Sequence, residues 1–390
     1  MKLPFEFRSR AALACASLFL TLLPQAMVAD DWPLVRGDTL GTGVAQTTLP
    51  DQPKVLWKYQ ASKDAGFDAT PVVVDGVVYI GDSSGTFHAV HLADGSAVWT
   101  KEFADSGFAA GATVAKDRIY VGDLNGVVRC LSTTDGHEQW SAKLDGEIYA
   151  GPVLHGENLL VTSESGTLSC LSAEDGHEVW PPFKIDAPLR CSPTISAGRV
   201  MLAGCDSLLH VINTADGKEI HTVEIDGPTG ATPAIRNERV YFGTEGGTFF
   251  AIDVPESSEP PSVAWTFRDP RRGQPIRSAA AVTNEIVVFG TQGKTIYGLN
   301  PENGDVKWNL PTQSRVESSA VIAGHRVVAA TTAGKIYLLD AATGEAKWEY
   351  DAGGGFTASP AVVNARIILP NTDGTLYCFG RKRRPPNATE

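Results

Sequence analysis

The stretch Ala89-Val90-His91-Leu92-Ala93-Asp94-Gly95-Ser96-Ala97-Val98-Trp99 contains the pattern that decides the fold. An Asp-Gly pair favours the tight turn between two antiparallel strands, because glycine accepts a positive φ and aspartate tolerates one. Apolar and β-branched residues stand on both sides of the turn, and a tryptophan follows the glycine by four residues. The stretch therefore predicts two antiparallel strands joined by a short turn.

Tryptophans repeat this pattern along the chain at intervals of about 40 to 45 residues, a period typical of propeller repeats. Ile220 is assigned to the place where one further tryptophan would fall. The tryptophans of the series, predicted to dock structurally between repeats, are Trp57, Trp99, Trp140, Trp180, Trp265, Trp308 and Trp348. Turn pairs precede most of them, at Asp94-Gly95, Asp135-Gly136, Asp175-Gly176, Asp216-Gly217, Asn303-Gly304 and Thr343-Gly344.

Each repeat carries four strand signals. In the first repeat they cover residues 69–74, 77–80 and 86–92, and a fourth segment ends near Trp99. Short strands rich in β-branched and aromatic residues, separated by turn residues, are typical of antiparallel sheets. Four such strands per repeat predict the blades of an all-β propeller.

The two ends of the chain predict how the ring closes. Residues 358–363, 366–369 and 375–379 supply three strands with no fourth, whereas residues 55–59 form a fourth strand with no three before it. Both deficits disappear if the N-terminal strand completes the last blade, which also protects the sheet edges. The sequence therefore predicts an eight-bladed β-propeller over residues 54–380, with four-stranded antiparallel blades.

Residues 89–99 resemble the tryptophan-docking repeat of the pyrroloquinoline-quinone (PQQ)-like β-propeller family, and the resemblance recurs around Trp140, Trp180, Trp308 and Trp348. The resemblance implies that each tryptophan packs between neighbouring blades. The family has two functional classes. One contains quinoprotein dehydrogenases, which hold PQQ and calcium over the propeller axis. The other is non-catalytic and includes scaffolds similar to the BamB type of outer-membrane protein assembly.

Chain length favours the scaffold class, because repeats of about 41 residues leave little room for long active-site insertions. The sequence has no adjacent cysteines and no run of carboxylate and amide residues typical of a calcium shell. We therefore predict no catalytic residue, no metal and no cofactor. A quinoprotein-like oxidoreductase with PQQ and calcium at the axial mouth remains the alternative, so enzymatic activity stays open.

A net charge of −12 disfavours nucleic acid as a partner. Other envelope or secreted proteins are the predicted partners of a monomeric propeller.

The first 29 residues are typical of a secretory signal, because Lys2, Arg8 and Arg10 precede the apolar residues 11–23. Cleavage is expected near Ala29, which predicts a periplasmic or secreted protein without a transmembrane segment. Lipid attachment at Cys15 is the alternative. Residues 30–53 form a lead-in, in which Trp32-Pro33 is expected to pack on the propeller and Arg36-Gly37-Asp38 is interpreted as a chance match to an adhesion motif. Residues 381–390 form a basic tail, predicted to be disordered.

The residue just before each innermost strand is expected at the axial mouth, where loops of all blades converge. We call these eight residues the rim: Asp68, Ala109, Tyr149, Arg190, Gly230, Arg277, Glu317 and Thr357. Its charged and aromatic members, Asp68, Tyr149, Arg190, Arg277 and Glu317, are the candidate binding residues. Arg190 and Arg277 are predicted to recognise a carboxylate, because guanidinium groups suit bidentate contact with it. The alternative is a hydrated rim with compensating charges.

Five cysteines follow the predicted signal, in a compartment that permits disulfides. Cys191 and Cys205 flank a predicted hairpin and are the candidate disulfide, with two free thiols as the alternative. The other three are interpreted as buried and unpaired: Cys130, Cys170 and Cys378.

Overall fold

A computed structural model describes residues 30–61, 64–270 and 273–382. The predicted signal, residues 1–29, and most of the basic tail, residues 383–390, lie outside the described residues. The strands form eight antiparallel sheets, one per blade, and no α-helix occurs in the ranges just given. The predicted all-β, eight-bladed propeller is confirmed.

The strands are given blade by blade, from the innermost to the outermost. Blade 1 contains Val72–Val74, Val77–Gly81, Thr86–His91 and Ala97–Glu102; blade 2 contains Thr113–Ala115, Arg118–Gly122, Val127–Ser132 and Glu138–Lys143. Blade 3 contains Val153–His155, Asn158–Thr162, Thr167–Ser172 and Glu178–Lys184; blade 4 contains Thr194–Ser196, Arg199–Ala203, Leu208–Asn213 and Glu219–Glu224. Blade 5 contains Ala234–Arg236, Arg239–Gly243, Thr248–Asp253 and Ser262–Arg268; blade 6 contains Ala281–Val282, Val287–Thr291, Thr295–Leu299 and Val306–Pro311. Blade 7 contains Val321–Ala323, Arg326–Ala330, Lys335–Asp340 and Ala346–Asp351; blade 8 contains Ala361–Val363, Arg366–Pro370, Thr375–Gly380 and, outermost, Lys54–Gln60.

The innermost strands are shorter than the sequence predicts. In blade 1 the strand begins at Val72, although the sequence predicts a start at residue 69. Prolines occupy the position just before the innermost strand in five blades, at Pro71, Pro152, Pro193, Pro233 and Pro360. Proline has no N–H to donate and suits a strand start, but the other three innermost strands begin at the equivalent position after an alanine.

The ring closes as predicted. The outermost strand of blade 8, Lys54–Gln60, pairs antiparallel with Thr375–Gly380, and Trp57 stands opposite Cys378. The N-terminal and C-terminal parts of the chain thus share one sheet. Arg366 of this blade also donates to the backbone carbonyl of Leu92 in blade 1, across the closing seam. The closed ring leaves neither end of the propeller as an unpaired blade.

Six of the seven tryptophans of the series dock on the turn of the following blade, whereas Trp348, which faces the blade closed by the two chain ends, packs against Tyr350 and Phe379. Indole rings of six blades lie against a turn glycine so closely that a Cβ added there would come within 2.5 to 2.7 Å of a ring atom. The ring–glycine pairs are Trp57–Gly95, Trp99–Gly136, Trp140–Gly176, Trp180–Gly217, Trp265–Gly304 and Trp308–Gly344. Each of these Nε1 atoms donates to a backbone carbonyl near the same turn. Glycine is required there for space as well as for its positive φ.

The assignment of Ile220 to the tryptophan position is wrong. His221 stands opposite Val211 in blade 4, as Trp180 stands opposite Cys170 in blade 3. Ile220 lies at the bulge beside it and is exposed. In blade 5 the turn is replaced by residues 254–261, which contain no glycine. A docking tryptophan in blade 4 would therefore find no turn glycine, which explains why both elements are missing at one seam.

The lead-in closes the end of the propeller opposite the rim. Backbone groups of residues 32–43 bond to the middle residues of innermost strands in blades 1, 2, 4, 5, 6 and 7. The bonds join Trp32 to Val73, Pro33 to Val114, Thr39 to Ile195, Leu40 to Ile235, Thr42 to Val282 and Gly43 to Ile322. The strand Val44–Ala45 adds in parallel to Val321–Ala323. The predicted Trp32-Pro33 anchor thus belongs to a longer segment that bonds to the innermost strands of six blades.

Candidate functional site

The rim residues lie at the end of the propeller that the lead-in leaves uncovered. They precede the innermost strands, whereas the backbone of the lead-in bonds within those strands. Asp68, Arg190 and Arg277 are exposed, Glu317 is half-buried, and the Tyr149 side chain is 42% exposed. Repeat spacing therefore brings the five candidate binding residues to the same end of the molecule.

Arg190 and Arg277 each pair with a glutamate of the preceding blade. Arg190 Nε lies 3.0 and 2.9 Å from the two carboxylate oxygens of Glu164, and its Nη2 also donates to Glu164. Arg277 Nε donates to Glu245 Oε1 at 2.7 Å, and its Nη2 reaches Oε2 at 3.3 Å. These hydrogen bonds raise the pKa of both guanidinium groups. Each arginine thus already holds a carboxylate of its own chain.

The other candidate rim residues also have partners within the chain. Thr357 donates to Asp68 at 3.1 Å across the closing seam, and Gln292 Nε2 donates to Glu317 at 3.0 Å. The Tyr149 hydroxyl donates to Glu147 at 2.7 Å, which raises the pKa of the tyrosine. Neighbouring blades are therefore linked around the rim by side-chain hydrogen bonds.

A second ring of residues, outside the rim, was missed by the sequence reasoning. It consists of the loop residues that follow the second strand of each blade, and Glu164, Glu245 and Gln292 belong to it. The repeat alignment that gives the rim also places these three at one equivalent position. Aligning the repeats could therefore have identified Glu164 and Glu245 as the partners of the two arginines from the sequence.

Neither a metal-binding cluster nor a membrane-spanning helix occurs in the described ranges, 30–61, 64–270 and 273–382. Within them, no group of three His, Cys, Asp or Glu side chains is arranged to hold a metal ion. The same residues include no helix of the length and apolarity needed to cross a membrane.

Cys191 and Cys205 lie beside the first hairpin of blade 4, outside its strands. Both are free thiols in the structure. Cys191 Sγ lies 3.5 Å from the carbonyl oxygen of Ala203, and Cys205 Sγ lies 3.7 Å from that of Thr229. The disulfide is thus not formed here, and whether it forms in the oxidised protein stays a prediction. The remaining described thiols are free and buried on the third strands of their blades: Cys130, Cys170 and Cys378.

The thiols outside residues 1–29 are expected to be unreactive in the folded protein. Burial raises the pKa of Cys130 and Cys170 to about 11, that of Cys191 and Cys378 to about 12, and that of Cys205 above its usual value. The thiolate is the reactive form, so a thiol reagent at pH 8 should react slowly until the protein unfolds. If Cys191 and Cys205 stay unpaired, denatured, unreduced protein that begins at residue 30 should show all five thiols. A count of three would instead establish one disulfide.

Solved structures share this fold. BamB from Moraxella catarrhalis superposes with a TM-score of 0.72 at 16% identity, covering 84% of this chain and all (100%) of that one. The quinohemoprotein alcohol dehydrogenase of Comamonas testosteroni superposes with a TM-score of 0.73 at 15% identity, covering 92% of this chain and 82% of that one. At such identities the likeness establishes the fold alone, and it extends to proteins of both functional classes.

Sequence comparison finds a shorter match to the same dehydrogenase and a long match to a family model. The dehydrogenase of Comamonas testosteroni is 32% identical over 75 residues, which are 18% of this chain and only 11% of the enzyme. The family model described as outer membrane protein assembly factor BamB matches residues 41–147, 124–208 and 183–382. These segments together span the whole propeller, so the chain belongs to the PQQ-like β-propeller family that this BamB model describes.

Proposed function

We propose that the protein is a non-catalytic binding scaffold of the periplasm or the cell exterior, which binds other envelope or secreted proteins at its rim. On this proposal residues 1–29 are a secretion signal cleaved near Ala29. The BamB-type family model supports the proposal. The observation that carries it is the pairing of rim charges between neighbouring blades.

Paired charges support binding of a protein surface in the following way. The ion pairs Arg190–Glu164 and Arg277–Glu245 hold the exposed loops of four blades in place before a partner arrives, which reduces the entropy lost on binding. Tyr149 adds an exposed aromatic side chain beside them, and aromatic residues are enriched in protein interfaces. The lead-in covers the opposite end, which concentrates accessible loops at the rim.

The same side-chain pairs argue against a calcium-bound quinone at the rim. Calcium takes six to eight oxygen ligands, which have to converge on one point. The candidate carboxylates Asp68, Glu164, Glu245 and Glu317 instead accept hydrogen bonds from side chains of this chain. We therefore propose that the protein works without PQQ and without a metal. A quinoprotein-like oxidoreductase is the second candidate, supported by the likeness to the alcohol dehydrogenase.

Two measurements on protein that begins at residue 30 separate these candidates. Titration calorimetry with PQQ in excess calcium, followed by a dye-linked oxidation assay on alcohols and sugars, should give no saturable heat and no turnover. In parallel, a photo-cross-linking residue placed at Tyr149 should capture a partner in the envelope of the source cell. The same residue placed at Thr48, exposed on the lead-in side, is the control. PQQ binding with turnover would replace the scaffold by the enzyme.

Replacing both rim arginines by alanine is expected to weaken binding of the captured partner by about tenfold or more, equivalent to about 1.4 kcal/mol. The loss should arise because the loops of blades 3 to 6 lose their ion pairs and their two guanidinium groups. Arg236→Ala with Lys307→Ala is the matched control, because these two cations share a groove away from the rim. Affinity that is unchanged in Arg190→Ala/Arg277→Ala, with the fold intact, would eliminate the rim as the binding surface.

A further inference from the structure

A surface groove separates blades 2 and 3 at the end of the propeller opposite the rim. It is lined by the first turn of blade 2 and by two turns of blade 3, and its volume of about 630 Å³ is in the range of ligand sites. Arg118, the first residue of the second strand of blade 2, lines it and is half-buried. Arg118 Nη1 donates to the carbonyl oxygens of Ala173 and Glu174, both at 2.9 Å, and these two residues line the groove too. The guanidinium is therefore held at the wall of the groove.

The equivalent arginines of blades 5 and 7, Arg239 and Arg326, hold carboxylates. Each of the three arginines stands opposite the last residue of the third strand, which is Ser132 in blade 2, Asp253 in blade 5 and Asp340 in blade 7. Arg239 Nε and Nη2 donate to the two carboxylate oxygens of Asp253 at 2.5 and 3.2 Å. Arg326 pairs with Asp51 through Nε and with Asp340 through Nη1, both at 3.1 Å. A carboxylate is thus the usual partner of an arginine at this position.

Arg239 shows how a carboxylate would bind to Arg118. Its Nη1 donates to two turn carbonyls of the following blade at 3.0 and 3.2 Å, as Arg118 Nη1 does, and its other edge takes Asp253 side-on. In blade 2 that place is held by Ser132, and no carboxylate of the described residues forms an ion pair with Arg118. Nε and Nη2 of Arg118 are not buried, and the groove is the open space that this residue lines. Arg118 therefore offers an unfilled edge for bidentate contact.

The remaining charges of the groove indicate what else the ligand carries. Four exposed side chains that line it take part in no ion pair within residues 64–270 and the other described ranges: Lys116, Asp117, Glu157 and Glu174. Three carboxylates repel a ligand that is only acidic, whereas they attract a cation. Leu154 and exposed Val179 add apolar surface between the charges. The groove therefore favours a ligand with charges of both signs and an apolar part.

We propose that the groove between blades 2 and 3 binds a segment of a partner protein in which an acidic residue has basic neighbours. Arg118 takes the acidic side chain through Nε and Nη2, as Arg239 takes Asp253, and the exposed carboxylates of the groove take the basic side chains. Charges spread over three turns suit a peptide segment better than a small acid. The groove and the rim are at opposite ends of the propeller, so this site does not depend on binding at the rim.

Crystals soaked in 4-(aminomethyl)benzoate, which carries a carboxylate and an ammonium group, test the site directly. The carboxylate is expected within hydrogen-bonding distance of Arg118 Nε and Nη2, with the ring in the groove. The matching amide, 4-(aminomethyl)benzamide, lacks the negative charge and should leave the groove empty. A groove that stays empty with the benzoate, or that takes both compounds equally, would overturn the proposal.

Retention on immobilised peptides measures the preference in solution. We expect the protein to be retained at least tenfold more by a pentapeptide library Lys-Xaa-Glu-Xaa-Lys than by the same library with Gln in place of Glu. Ser132→Asp should remove this preference, because it gives Arg118 the internal partner that Arg239 has. Arg118→Gln should remove it as well, and that variant decides the question if Ser132→Asp does not fold.

Asn213→Asp is the matched control for Ser132→Asp. Asn213 stands opposite Arg199 in blade 4, as Ser132 stands opposite Arg118 in blade 2. The control adds the same charge at the same strand position away from the groove, so the preference for the Glu library should remain. The proposal is wrong if the preference survives in folded Ser132→Asp, or if Asn213→Asp loses it to the same extent.

Discussion

Replacing Trp180 by alanine is expected to lower the free energy of unfolding by about 3 to 5 kcal/mol, the usual cost of removing a buried aromatic ring. The ring is 5% exposed and lies over Gly217 in the turn of the next blade. Its Nε1 donates to the carbonyl oxygen of Thr214 at 3.2 Å. The substitution therefore leaves a cavity between blades 3 and 4 and a buried carbonyl without its donor. Urea denaturation followed by circular dichroism measures the loss.

The same seam offers a partner substitution and a control. A Cβ at Gly217 would lie 2.5 Å from the Trp180 ring, at a φ of +69°, so Gly217→Val should also be strongly destabilising. Because part of its cost comes from the tryptophan, the double variant should lose less than the sum of the two single losses. His221→Ala, at the tryptophan position of blade 4, should cost less than about 1 kcal/mol. Docking would be refuted as the source of stability if Trp180→Ala cost no more than His221→Ala.

The fold was predictable because its determinants are local and repeated. A turn and the tryptophan that follows it lie within eleven residues, and each copy reports on one blade. The error at Ile220 came from counting between tryptophans across a blade that has none. Counting four residues from Gly217 instead reaches His221, because the turn fixes the strand register. The docking partner of each tryptophan ring lies in another blade. Only the structure could therefore show that the tryptophan of blade 4 and the turn glycine of blade 5 are missing at the same seam.

The site was predictable only in part, for a related reason. Repeat alignment placed the rim residues at one end, but the glutamate partners of Arg190 and Arg277 come from the preceding blades. Arg36 of the lead-in, which is buried, shows the limit more clearly. Its Nη2 donates to the carbonyl oxygens of Ala280 and Ala320, which are 244 and 284 residues away in sequence. Nothing in Arg36-Gly37-Asp38 distinguishes a buried guanidinium from an exposed one. The lead-in is not part of the sequence repeat, so its long-range contacts cannot be inferred from the repeat period.

A chain that begins at residue 62 is expected not to form a closed, monomeric propeller. It lacks the lead-in and the strand Lys54–Gln60, so Thr375–Gly380 becomes an unpaired sheet edge. It also lacks Trp57, whose ring packs on Gly95 and links blade 8 to blade 1. The closing seam then has neither strand pairing nor docking, and exposed strand edges promote association between chains. Light scattering should report oligomers or aggregates, and thermal melting should lose its single cooperative transition.

Three further chains show which contact closes the ring. A chain that begins at residue 30 and one that ends at residue 382 keep every described strand, so both should stay monomeric and melt like the full protein. Trp57→Ala in the chain from residue 30 keeps the strand pairing and loses only the docking. Its melting temperature should therefore fall while it remains monomeric, between the intact chain and the one from residue 62. If the chain from residue 62 were monomeric and melted within about 3 °C of the intact chain, the N-terminal strand would not be what holds the ring closed.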